Sequence, residues 1–173
     1  YPLKIFDEEN AAASEPKHVA TVFNKYFSTI GKSWDEKIPQ TSTQSFKYYM
    51  PKSSECSMFL KPTTPKEVAL EINSLNNSKV CGPSSIPTNL LKIGASHLSA
   101  PLSYIINLSF AHGIFPEILK VAKVIPIHKS GPTEQCCNYR PMSLLSNLSK
   151  IFEKCMFERL TNFINNNNIL YTK

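Results

Sequence analysis

Only two stretches of this chain read as β-strands, and each carries a proline. Lys120 to Lys129, KVAKVIPIHK, is rich in β-branched residues, and Asn138 to Ser143, NYRPMS, follows after a loop of about eight residues that begins Ser130-Gly131-Pro132. Pro126 and Pro141 each remove a ladder donor, which sends both strands to edges or bulges. A two-stranded hairpin is marginal in water by itself. The core must therefore be helical, and the expected fold class is α+β, mostly helical, with one β-hairpin lying against amphipathic helices.

The helical periodicities support this. Residues 1–13 read as a loose acidic lead-in. Val19, Val22, Phe23, Tyr26, Phe27 and Ile30 then form one apolar stripe, with Ser14 as cap, Pro16 in the first turn and Gly31 at the expected end. Residues 32–62 turn polar and Pro/Ser/Thr-rich around an aromatic patch at Phe46, Tyr48 and Tyr49, and read as a linker. Thr64-Pro65-Lys66-Glu67 is a capping box opening a helix to about Leu75. A loop with Gly82 and Pro83 leads to a short helix from Thr88 to Gly94. A longer helix, about Ser99 to His112, is expected to bury Leu102, Ile105, Ile106 and Phe110, and a final amphipathic helix covers about Ser146 to Asn165. The expected division is residues 1–62, helix plus linker, and residues 63–173, the body.

Charge is placed unevenly. Nineteen Lys+Arg against thirteen Asp+Glu give +6, yet residues 1–60 are neutral and the whole surplus lies behind them. Between Lys79 and Lys150 stand seven cations and two anions, Glu117 and Glu134. Such a segment suits phosphate and is poor in carboxylates for holding a metal. The only aspartates are Asp7 and Asp35, remote from every histidine of the second half, so no Ser-His-Asp arrangement can be drawn. Glu67 and Glu71 at i,i+4 read as solvent contacts, and Glu153 and Glu158 as surface charges paired with Lys150, Lys154 or Arg159. Five cysteines without C-x2-C spacing argue against a disulfide framework and against zinc, and favour a reducing intracellular setting in nucleus or cytoplasm. No apolar run approaches the roughly 18–20 residues that cross a bilayer, so no membrane partner is expected.

The strongest constellation is on the hairpin: Lys120, Lys123 and Lys129 on one strand and Arg140 on the next. Facing residues of paired strands approach within about 5 Å, so Lys129 and Arg140 are placed to converge on one anionic ligand, with the Gly131 loop as a flexible clamp. Arginine offers a planar fork for phosphate and lysine a point charge. Charge and spacing by themselves favour a solvated basic hairpin with no ligand, and they favour His128 as a plain strand-face residue over a ligand contact.

The runs FPEILKVAKVIPIHKSG and NYRPMSLLSNLSKIFEKCMFERL resemble reverse transcriptases of non-LTR retrotransposons of the LINE or jockey-like kind. SLNNSKVCGPSSIPTNLLK resembles the segment those enzymes carry before the first finger strand, and VFNKYFSTIG and TTPKEV the stretch between endonuclease and polymerase. The resemblance spans nearly the whole chain. It implies the N-terminal extension and fingers of a right-hand polymerase, with RNA template, DNA primer and dNTP as partners. By the same resemblance Lys129 and Arg140 approach the triphosphate of the incoming nucleotide. Gly82, Pro83 and Ile86 shape a loop near the template, and Lys79, Lys120 and Lys123 contact nucleic-acid backbone. Ser84 and Ser85 replace the family's usual Asp-Gly pair. The family's three catalytic aspartates lie downstream of the last helix, so the resemblance implies no catalytic residue here, and no metal or cofactor. Mg2+ is expected only with the palm and thumb of the same polyprotein, and the fragment alone is expected to be inactive. A non-catalytic nucleic-acid-binding remnant, or a product that binds nothing, are the alternatives.

Overall fold

The computed structural model describes residues 4–6, 11–38, 48, 56–77, 82–83 and 86–169. The chain forms two compact units, each assembled from two separate stretches: Tyr1–Met50 with Val124–Ser143, and Pro51–Lys123 with Leu144–Lys173. The class is α+β and mostly helical, with two small antiparallel sheets.

The first unit gathers strands β1 (Ile5–Phe6) and β2 (Ala12–Ala13), helix α1 (Pro16–Asp35), and the hairpin of β3 (Lys123–His128) and β4 (Tyr139–Leu144). β1 and β2 run antiparallel with Ile5 opposite Ala13, and both residues are fully buried. The described residues of this front stretch, 4–6 and 11–13, therefore include a packed strand pair where a loose lead-in is expected. Its strands are two residues each, too short for any alternation to show in the sequence. Val19, Val22 and Phe23 of α1 close over them together with Cys136 and Tyr139, and the Phe23 and Tyr139 rings meet edge to face at 4.9 Å.

Helix α1 runs straight through Gly31 and stops at Glu36, whose amide donates to the Lys32 carbonyl. Gly31 is exposed, and an interior glycine costs only about 1 kcal/mol against alanine, too little to end a helix by itself. The N-cap is Glu15 rather than Ser14. The linker's described residues, 32–38, 48 and 56–62, are mostly exposed, while Phe46 and Tyr49 lie outside the described residues.

The second unit packs α2 (Pro65–Ser74), α3 (Thr88–Ile93), α4 (Ala95–His112), the single turn α5 (Glu117–Lys120) and α6 (Asn147–Asn166). Val68, Ile72, Leu91, Leu102, Ile106, Leu119, Ile151 and Phe152 make its core. Each such side chain contributes about 1.5–3 kcal/mol on burial. Ile105 and Leu108 stay exposed although α4 is apolar nearly all round, and Ile93, Tyr104 and Phe157 are exposed as well. The burial expected of Ile105 is thus not realised, because Leu102 and Ile106 take the inward face.

Polar side chains fasten these helices. Asn107 of α4 exchanges two hydrogen bonds with the backbone of Thr63, at 2.7 and 2.9 Å. Asn147 donates to the Ile86 carbonyl and the Thr88 hydroxyl, and Ser149 to the Leu119 carbonyl. Ser146 and Thr64 cap α6 and α2 through bonds from the amides of Ser149 and Glu67.

The Glu67 carboxylate, besides its place in the Thr64 capping box, reaches Arg159 of α6 in a bidentate pair, 2.6 and 3.1 Å. Glu71 likewise meets Lys154 at 3.2 Å. Both acids of α2 are cross-helix ties rather than solvent contacts, and Arg159 serves Glu67 rather than an acid of its own helix. Burial alone would raise the Glu67 carboxyl, but the bonds from Arg159 and Thr63 and the guanidinium charge win and hold it below the usual range. The same bond to Glu67 raises Arg159.

Candidate nucleic-acid interface

The β3–β4 hairpin carries the residues on which a phosphate-binding reading depends. The Lys129 amide donates to the Asn138 carbonyl at 2.7 Å, and the His128 and Tyr139 rings pack at 5.2 Å. Antiparallel pairing then sets residue 128 opposite 139 and Ile127 opposite Arg140. Lys129 is two residues nearer the loop than Ile127, so it and Arg140 are diagonal rather than facing neighbours. Such diagonals lie about 7–8 Å apart, within reach of one polyanion for two long side chains. Both are exposed, and among the described residues neither pairs with an acid.

The connecting loop is not a flexible clamp. Five successive carbonyls each accept a hydrogen bond: Gly131 from His128 Nε2, Pro132 from Asn138 Nδ2, Thr133 from the Tyr139 hydroxyl, Glu134 from the Phe6 amide and Gln135 from the Asn138 amide. All five span 2.8–3.1 Å. Gly131 sits at φ +83°, where a Cβ would come within 2.8 Å of the Asn138 side chain. Through its bond to Gly131, His128 supports the loop. Asn138 and Tyr139 do most of this holding. The available signal was an asparagine closing a Gly-Pro loop, a residue type that bonds nearby backbone. Burial first, then the nearby Glu134 and Cys136, raises the Tyr139 hydroxyl, which keeps it a donor to Thr133.

The other expected contacts belong to the second unit. Lys120 at the end of α5 is ion-paired with Glu117, one turn back. Lys123 is exposed at the start of β3. Gly82 is buried, and a Cβ there would stand 2.6–2.7 Å from backbone atoms of Leu144 and Leu145. Its glycine is required by close packing of two backbones. Pro83 is half-buried beside it, Ile86 is partly exposed and gives its carbonyl to Asn147, and Lys79 lies outside the described residues. Among the described residues no three His, Cys, Asp or Glu side chains are placed to share a metal ion. None of the described helices is long and apolar enough to cross a membrane.

The hairpin presents two exposed cations, Lys129 and Arg140, in an α+β, mostly helical chain. Comparison with known proteins narrows the class. No family model matches the chain. The probable RNA-directed DNA polymerase from transposon BS of Drosophila melanogaster is 28% identical over 165 residues, 95% of this chain and 17% of that protein. The RNA-directed DNA polymerase from mobile element jockey is 30% identical over 123 residues, covering 70% of this chain and 13% of its own length. The probable polymerase from transposon X-element, from the same fly, is 30% identical over 111 residues, 64% of this chain and 12% of that protein. The chain is homologous to the RNA-directed DNA polymerases of non-LTR retrotransposons and spans only 12–17% of the length of these relatives.

Proposed function

We propose that this segment is part of the fingers of a retrotransposon RNA-directed DNA polymerase, where it holds template and incoming nucleotide while catalysis is supplied elsewhere. The observation that carries this is the hairpin, where Lys129 and Arg140 flank a loop fixed at five carbonyls and, among the described residues, pair with no acid. A fixed platform presents both charges without the entropy cost of ordering a loop on each binding event. Arg140 supplies the fork for phosphate oxygens and Lys129 a point charge beside it. Lys79, Lys120 and Lys123 add backbone contacts, and Gly82, Pro83 and Ile86 border the template. Mg2+ enters only with carboxylates outside this segment. The setting in this reading is the nucleus or cytoplasm, in keeping with five cysteines that lack a disulfide framework.

Salt-titrated binding of the chain to a short RNA–DNA duplex tests this. With about five phosphate contacts, log K should fall against log salt with a slope of roughly −3.5 to −4.5. Lys129→Ala/Arg140→Ala should shrink that slope by about 1.4–1.8. No binding at about 50 mM salt, or a slope untouched by the double substitution, overturns the assignment.

A further inference from the structure

A second groove, wholly within the second unit and away from the cationic hairpin residues in sequence, has a different chemistry. It occupies about 510 Å³ between the segment ahead of α2 and the last two turns of α6. The Glu67–Arg159 pair forms its floor. The Arg159 guanidinium is fully engaged, by both Glu67 oxygens and by the carbonyls of Lys61 and Cys155, and its carbon lies 5.2 Å from the Phe110 ring centre. The pair is therefore held by several hydrogen bonds and is electrically neutral.

The walls are another matter. Glu158, Asn162 and Asn166 recur every four residues on α6, so they line up as one row about 6 Å apart. Among the described residues, the Asn162 and Asn166 amides have no hydrogen-bond partner. Phe163 lies in the adjoining row, and Phe59 lines the opposite wall with 82% of its surface exposed. Lys61 stands at the same wall.

We infer that this groove binds an unstacked base of single-stranded RNA. Side-chain amides present a donor and an acceptor together, which matches the edge of a nucleobase. An exposed ring offers a stacking platform, the usual means of holding splayed bases. Lys61 is placed for the adjoining phosphate. Cation and carboxylate nearly cancel here, so this groove binds by stacking and hydrogen bonding with little salt dependence. The inference rests on the chain being a nucleic-acid-binding part of a polymerase, and the salt behaviour keeps the two claims separable.

The experiment is fluorescence-anisotropy titration of the whole chain with a short single-stranded RNA, with 4-thiouridine cross-linking of the same RNA. Phe59→Ala should weaken binding about tenfold, within the 1–3 kcal/mol that stacking on one aromatic contributes. Asn162→Ala/Asn166→Ala should weaken it as well, and neither change should alter the salt slope. Cross-links should fall in residues 59–64 and 158–166. Unchanged affinity in both variants, with cross-links confined to the hairpin, overturns this inference and leaves the fingers assignment standing. Absence of all RNA and duplex binding by the native chain overturns both. Phe59 is exposed and the two amides are unbonded, so the variants keep the native fold, which circular dichroism and an unchanged urea midpoint verify.

Discussion

Replacing Arg159 with methionine should cost the second unit about 2–3 kcal/mol. Methionine keeps much of the aliphatic stem but removes the bidentate bond to Glu67, the bonds to two backbone carbonyls and the contact over Phe110. Breaking a fully buried pair by deleting one partner costs about 3–5 kcal/mol, while an exposed pair contributes about 0–1. Arg159 is 8% and Glu67 22% exposed, which places this pair nearer the buried limit but lets water reach the orphaned carboxylate. Urea unfolding followed by circular dichroism should show the midpoint falling by about 1–1.5 M, for a slope of about 2 kcal/mol/M. Glu67→Gln and the double variant complete the cycle, with a coupling of about 1–2 kcal/mol expected. The pH dependence provides an independent check. The Glu67 pKa is lowered on folding, so its stabilisation is present above the unfolded carboxylate value and is lost as pH falls through the lower folded value. The stability gap between the native chain and Glu67→Gln should accordingly close in acid. A single-variant loss below about 0.5 kcal/mol, or strictly additive losses, would refute the view that this pair ties α2 to α6.

Two further outcomes follow from local geometry. Gly82→Ala should destabilise by about 1–3 kcal/mol, the usual cost of overpacking, since the atoms in its way are backbone and cannot swing aside. A variant as stable as the native chain in urea would show that Gly82 is not needed for packing. Cys137 and Cys56 are exposed and should alkylate readily at pH 8. Cys155 should react only on unfolding, because burial pushes its thiol up to about 11. Mass spectrometry of iodoacetamide-treated native protein checks this, and early labelling of Cys155 would contradict the packed core.

The sequence by itself determined the local elements. A proline at the first helical position with a threonine cap located α2, an amphipathic stripe located α6, and β-branched residues around Pro126 located the first strand of the hairpin. Those signals are short-range, and short-range physics decides them. The motif blocks likewise pointed to the polymerases with which the homology was then found.

Tertiary structure decided what residues distant in sequence do to one another. The seating of β1 rests on a bond from Phe6 to Glu134. The partners of Glu67 and Glu71 lie on α6 and not on their own helix. The loop at Gly131 looked flexible because glycine, proline and serine mark turns. It is fixed because Asn138 and Tyr139 fold back on its carbonyls. Propensity reports what the backbone can do alone. Which side chain satisfies a given donor, carbonyl or charge depends on what the fold brings within about 3 Å, and no local pattern contains that distance.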